Sequence, residues 1–307
     1  MKNKALITIL KTAVTLAIVY FLVDFIIKNW NKIDFSNVTI NYLYLLLAAP
    51  IIISHLFIYS ALWRRTLGLI GVKLSLADTN IVYSGAQFWR YLPGRVLLFV
   101  RRVWLCSNKG ILKEKAVASV ALEFSLLIIS AIVLSAITAI FMPIPTRIKI
   151  IYLPIVLITL AIIIHPKVLN LLINLGFRLT KKEWLRIRYT SVLYLITAHI
   201  LTWVLQSMGF YLIISAVYNA NLILLPISIW IFTVSWLVGF LGLLTPGGLG
   251  IREGIMILLA SPFMPASMII VAALIVRIYI TLAEVIFWAT TRALYTKPKI
   301  PIKTKTL

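Results

Sequence analysis

The sequence predicts an all-α polytopic membrane protein with about six full spans and two re-entrant Pro-Gly hairpins in inverted-repeat arrangement. Three observations carry this. The 307-residue chain is 62% hydrophobic and contains apolar runs of about 20 residues, the length needed to cross a bilayer. Two apolar stretches are broken by Pro-Gly sequences into arms, three of which are only 12 residues long. The 30 Lys and Arg residues gather in alternate loops, as the positive-inside rule requires. The formal net charge of +22 would suggest nucleic acid in a soluble protein. Here the cations fall in short loops between apolar runs, so they report topology and contact with anionic lipid, and no nucleic-acid partner is expected. A single cysteine, Cys106, excludes an intrachain disulfide. His55, His165 and His199 have no metal-ligand spacing, so no metal or other cofactor is expected.

Span one is expected over Ala5 to Ile27; lysines precede it, but no small-residue cleavage pattern follows, so it is read as retained. Span two runs from about Tyr42 to Leu62, ahead of Arg64 and Arg65. After Asp78, Asn80 to Tyr91 and Val96 to Ser107 form two 12-residue arms around Leu92-Pro93-Gly94-Arg95. At 1.5 Å per residue neither arm crosses about 30 Å of hydrocarbon, so a hairpin tipped by Pro93-Gly94 is expected. Span three covers Ala116 to Phe141 with Glu123 inside, and Met142 to Arg147 turns the chain. Span four covers Ile148 to Ile164 and is stopped by Pro166. From there to about residue 190, Asn170, Asn174, Arg178, Lys182 and Arg186 recur every four residues between apolar neighbours, the pattern of a helix lying in the membrane surface. Span five covers Ser191 to Val217 with His199, Thr202 and Gln206 in its middle. Leu222 to Leu244 could span alone, but Thr245-Pro246-Gly247-Gly248-Leu249-Gly250 breaks the run and Leu249 to Ala260 is too short. Span six covers Ala266 to Ala293 and carries Arg277 and Glu284.

With the N-terminus inside, this arrangement places 24 of the 30 Lys and Arg on the cytoplasmic side, and both termini there. An extra span over 222–244 would throw the basic tail outside, so a second hairpin is preferred. The chain then divides into units at about 42–141 and 191–293 that insert in opposite directions. Each unit reads a mid-span His (His55; His199), a Pro-Gly break (Pro93; Pro246) and an intramembrane Glu (Glu123; Glu284). The spacings differ: His to Pro is 38 and 47 residues, and Pro to Glu is 30 and 38. Broken segments at matching positions of inverted halves point to a transporter site.

The candidate site is built from these breaks. Pro246 removes a backbone donor, while Gly247, Gly248 and Gly250 let the chain leave helical dihedrals. In lipid such backbone survives only where it is buried or lines a wet cavity. A helix starting near Leu249 would aim free N–H groups into the break beside the Arg252 guanidinium, a setting for an anion. Arg252, Glu253, Arg277 and Glu284 each cost on the order of 2.5 kcal/mol or more at the bilayer centre unless paired or wet, so they mark a polar path or an interhelical clasp. Arg277 and Glu284, seven apart, share a helix face. His55 and His199 are expected to be hydrogen-bond partners between spans. Arg90, Arg95, Arg101 and Arg102 flank the first break, as topology anchors or headgroup ligands.

YLPGRV at Tyr91 to Val96 and TPGGLGIREG at Thr245 to Gly254 resemble the two signature segments of the lysylphosphatidylglycerol synthase transmembrane, or flippase-like domain, family. The resemblance covers roughly span one to span six. It implies one domain over residues 1–307 that moves an anionic or modified phospholipid, or a polyprenyl-linked glycan, between leaflets of the cell membrane. In bifunctional relatives an aminoacyltransferase domain follows; this chain runs about 14 residues past the last span, so a stand-alone, non-enzymatic member is expected. The implied substrate-binding residues are Arg252, Glu253, Pro246, Gly247, Gly248, Gly250, Pro93, Gly94, Arg95, Arg90, Glu123, Arg277 and Glu284. The implied partner is an anionic phospholipid or a polyprenyl-phosphate lipid. The alternative is a membrane glycosyltransferase or accessory subunit acting on polyprenyl-phosphate sugars, against which Asp34, Asp78, Glu114 and Glu183 stand isolated in sequence. Oligomeric state is left open.

Overall fold

Uninterrupted apolar sequence can satisfy its backbone in hydrocarbon only as helix, and every regular element described is helical. The structure, a computed structural model, describes residues 27, 40–91, 96–142, 154, 158, 188–241, 248 and 250–295. All but Pro154 and Ile158 of the expected fourth span, the surface segment as far as residue 187, the basic tail, all but Ile27 of the first span, and Pro93, Gly94, Arg95, Pro246 and Gly247 lie outside the described residues.

Eight α-helices are bounded within that set: α1 (Tyr42–Leu69), α2 (Leu76–Gln87), α3 (Val96–Ser107), α4 (Lys113–Thr138), α5 (Tyr189–Val217), α6 (Leu224–Leu241), α7 (Ile251–Ala260) and α8 (Ala266–Tyr295). A 3₁₀ turn, Phe88–Tyr91, extends α2, and another, Ala139–Phe141, extends α4. Five helices are long and apolar enough to cross a membrane: α1, α4 with its 3₁₀ extension, α5, α6 and α8. They match expected spans two, three, five and six and the first arm of the second break. The 12-residue α2 and α3 and the 10-residue α7 are too short to cross at 1.5 Å per residue. Each half therefore reads long helix, two arms around a break, long helix.

Local chemistry sets the helix starts. The Asn41 side chain accepts from the Leu43 N–H, and Ser75 accepts from the Asp78 N–H while its hydroxyl donates to the Asp78 carboxylate. Helix α7 begins at Ile251 rather than Leu249, because Gly250 takes φ +82° as its N-cap, a conformation open to glycine at little cost.

The core forms where α1 lies antiparallel on α5. The Asn41 N–H at the start of α1 donates to the Ala216 carbonyl at the end of α5 at 2.7 Å. Midway, a β-carbon on Gly209 would lie 2.7 Å from Cγ1 of Ile52, so glycine is what lets the two backbones approach. Around this pair the rings of Tyr59, Trp203, Phe232, Phe210 and Trp236 interlock. Polar contacts tie on the other helices. The Trp203 indole donates to Ser130 Oγ on α4 at 3.1 Å, Ser60 donates to Asn80 on α2 at 2.7 Å, and Tyr279 on α8 donates to the Leu45 carbonyl at 3.2 Å.

Candidate functional site

Ionisable residues on membrane helices must find partners, and several of the described ones meet at one cavity of about 120 Å³. Arg90, Arg102, Arg252 and Arg277 line it, with His55, Gln87 and Gln206. Its other wall is aromatic: Phe99, Phe124, Phe240, Trp236 and Trp203 form a continuous series of ring contacts, each centroid 4.5–5.8 Å from the next. About 10 to 15 Å³ of such volume holds one water, so this space takes several waters or a compact polar group.

Three glutamates answer the arginines. Arg102, 1% exposed in its side chain, pairs with fully buried Glu123 on α4 and stacks on the rings of Trp63 and Tyr83 at 4.9 and 4.2 Å. Arg90 bonds Gln87 at 2.6 Å and pairs with Glu284 on α8 at 2.9 Å. Glu284 also accepts from the Tyr91 hydroxyl at 2.9 Å. Arg277 lies 3.7 Å from Glu253 and 5.3 Å from the Tyr91 ring centre. Arg277 therefore joins the edge of the first break, at Tyr91, to the start of α7 after the second.

The second break is shaped by Gly248 and Gly250, at φ +75° and +82°. Glu253 reaches back so that its carboxylate accepts from the Gly250 N–H at 2.8 Å. That corrects one expectation: the N-cap donor of this helix is taken by the chain's own carboxylate rather than aimed at an anion. Arg252 sits one residue earlier, half-buried, its guanidinium 4.5 Å from the Phe232 ring centre. A methyl group on Gly239 of α6 would come within 3.1 Å of the Arg252 Cβ, so this glycine sets how closely α6 and α7 hold that arginine.

The expected Arg277 and Glu284 do act as clasps, but toward other elements: Arg277 holds α7 and Glu284 holds the Phe88–Tyr91 turn. The histidines depart from expectation. His55 Nδ1 bonds the Ile52 carbonyl of its own helix, and neither nitrogen of fully buried His199 has a hydrogen-bond partner among the described residues. Both instead pack against the Tyr59 ring, whose hydroxyl donates to Gln206 at 3.3 Å.

The pairing leaves donor capacity at the cavity. Nε of Arg90, Arg102 and Arg277, and Nη2 of Arg277, are buried without a hydrogen-bond partner among the described residues. Guanidinium donors of this kind match the fork geometry of phosphate oxygens. A family model described as the lysylphosphatidylglycerol synthase TM region matches residues 8–287. The chain belongs to that family. A search of curated proteins finds no match. As a member of the lysylphosphatidylglycerol synthase TM family with five helices fit to cross a bilayer, it is a multi-pass membrane protein.

For this family member, sequence reasoning placed Arg90, Glu123, Arg252, Glu253, Arg277 and Glu284 in one site, and all six lie at the cavity or in ion pairs with its arginines. It named Arg102 only beside Arg101, as an anchor or headgroup ligand flanking the break, and left out Tyr91, Gln87 and the aromatic wall. Arg102 had a signal in the unpaired Glu123 nearby in sequence, but Arg101 beside it is chemically identical, and only packing tells the two apart. The aromatics read as ordinary span residues.

Proposed function

We propose that this protein moves a phosphate-bearing lipid, an anionic phospholipid or a polyprenyl-phosphate lipid, between leaflets of the cell membrane, with both termini cytoplasmic. The observation that carries the reading is the set of buried guanidinium donors at the cavity edge. A buried donor left without an acceptor costs about 1–3 kcal/mol, and more when charged. Phosphate oxygens relieve that cost, and the adjoining aromatic wall favours apolar parts of the same molecule.

Family membership supports a lipid-related role. The antiparallel course of α1 and α5, the first helices of the two halves, supports inverted units that hinge about the cavity. In this reading Arg90, Arg252 and Arg277 hold the phosphate, which displaces Glu253 from Arg277 and Glu284 from Arg90. No bond in the lipid is made or broken.

The test is a proteoliposome assay of acyl-labelled phosphatidylglycerol, followed by mass spectrometry of the recovered lipid. The expected result is lipid movement with unchanged mass, abolished by Arg252→Ala and unaffected by Arg188→Ala, whose side chain is exposed. Recovery of a covalently altered lipid in the presence of a sugar or aminoacyl donor would move the protein to the enzyme class.

A further inference from the structure

The described arginines flanking the first break, Arg90, Arg101 and Arg102, divide between two places. Adjacent helical positions point about 100° apart, so when Arg102 turns inward to Glu123, Arg101 turns outward. There its guanidinium lies 5.0 Å from the Trp89 ring centre and 4.3 Å from that of Trp104. No carboxylate pairs with Arg101 among the described residues, and its Nε has no hydrogen-bond partner there. Trp89 adjoins Phe88, which links Arg101 to the rings next to α8. Arg292 on α8 lies over the Trp288 ring at 5.8 Å, and Trp288 meets Phe88 edge-on at 6.2 Å. Trp104 and Trp288 are 49% and 36% exposed, whereas Trp63 and Trp203 are fully buried.

The Phe88–Tyr91 turn connects this outer cluster to the cavity. Phe88 and Trp89 contact the outer residues, whereas Arg90 and Tyr91 contact Glu284. On α8, Glu284, Trp288 and Arg292 follow at four-residue intervals and form one stripe, about 12 Å from end to end at 1.5 Å per residue. Arg90 is 28% exposed in its side chain while its partner Glu284 is fully buried, so the cavity meets the surface at this turn.

We propose that Arg101 and Arg292, framed by Trp89, Trp104 and Trp288, form a second phosphate site at the membrane surface, where an anionic lipid headgroup is held before it passes Arg90 into the cavity. The passage depends on the transport reading above; the surface site does not. Charge complementarity selects the occupant: two guanidinium groups on one run of aromatic rings, with no carboxylate answering Arg101 among the described residues, favour a phosphate, and half-exposed tryptophans are the side chains that settle at headgroup depth. The Trp rings hold the guanidinium planes in place, which spares the ordering entropy that a free arginine would lose on binding.

The experiment uses the full chain in nanodiscs of phosphatidylcholine with a rising fraction of phosphatidylglycerol, with retained lipid counted by native mass spectrometry. Arg101→Gln/Arg292→Gln should retain one phosphatidylglycerol fewer than the wild type, and Arg101→Lys/Arg292→Lys should keep it. In proteoliposomes the Gln pair should raise the half-saturating phosphatidylglycerol fraction at least threefold with an unchanged maximal rate, whereas Arg252→Ala should abolish movement and keep the surface lipid. Excess inorganic phosphate should not displace that lipid; if it does, the site takes free anions and the lipid assignment fails. Equal lipid counts in the wild type and the Gln pair would overturn the site and leave the tryptophans as membrane anchors. If the wild type moves no lipid yet the count still falls by one, the surface site stands and the transport reading falls.

Discussion

At the scale of single residues, Arg102 and Glu123 are each affordable only because the other is present. Removing one partner of a buried pair leaves an uncompensated charge and typically costs about 3–5 kcal/mol, whereas replacing both by apolar residues of similar size is often neutral. Arg102→Ala is therefore expected to lower stability by about that amount. Arg102→Met/Glu123→Leu should be more stable than either single change, as read by thermal unfolding in detergent. Because Arg102 also lines the cavity, the double variant should be stable yet transport poorly, which separates scaffold from function. Tyr91→Phe tests a smaller contact. It deletes only the hydroxyl that donates to Glu284, so the expected loss is about 1.5–3 kcal/mol, the range for a hydrogen bond to a charged group. An unchanged unfolding temperature would mean that Arg90 alone holds Glu284.

At the scale of elements, two glycines set interhelical distances with different consequences. Gly209→Ala drives a methyl group to 2.7 Å from Ile52 Cγ1, closer than carbon atoms tolerate, so α1 and α5 must separate. A loss of about 1–3 kcal/mol is expected for such overpacking, with recovery when Ile52→Ala is added. Gly239→Ala is gentler at 3.1 Å, and what must yield is Arg252 at the start of α7. Transport should fall while the unfolding temperature moves little; the opposite pattern would show that α6 and α7 do not position that arginine. The start of α2 is also tied to the turn after α3, because Lys109 Nζ lies 2.6 Å from Asp78. The Lys109 contact, and behind it the Ser75 hydroxyl, hold the Asp78 carboxyl below its ordinary pKa. Its stabilisation is therefore present above the unfolded-state pKa and lost as pH falls through the lower folded-state value. Both partners are more than a third exposed, so the effect is small by the general behaviour of surface pairs. Asp78→Asn should shift the unfolding temperature slightly at neutral pH and not at all in strong acid.

At the scale of the whole molecule, the proposed inversion of the two units makes a topological demand. The turn after α3, at Asn108, and the turn after α7, at Ser261, hold the same place in the element order of the two units, so the proposal requires them on opposite sides of the membrane. Cys106 is fully buried, which makes the native chain a quiet background for thiol labelling. A cysteine at Ser261 should react with an impermeant maleimide in intact cells, and a cysteine at Asn108 only after permeabilisation. Labelling of both from one side would dismiss the inverted arrangement and with it the alternating-access part of the proposed mechanism.

Periodicity, run length and loop charge were legible in the sequence because each depends on a local rule. About 20 apolar residues make a span, proline and glycine break one, and a 12-residue arm cannot cross. From these came four of the five membrane-length helices as spans, the fifth as a hairpin arm able to cross, and short arms at 80–107 and 249–260, where the structure has short helices within 76–107 and 251–260. The cost of charge in hydrocarbon likewise marked Glu123, Arg252, Glu253, Arg277 and Glu284 before any partner was known. What only the tertiary structure decided was who meets whom. Arg277 and Glu284 share a helix face, yet one clasps Glu253 and the other Arg90; Arg101 and Arg102 are neighbours, yet one faces tryptophans and the other a buried glutamate. The aromatic wall was hidden for the same reason: a ring in a span has the same sequence signature whether it faces lipid, core or cavity. Pairing energies act between residues far apart in the chain, and they are fixed by how helices rotate and approach, through contacts such as Gly209 on Ile52 and Gly239 on Arg252.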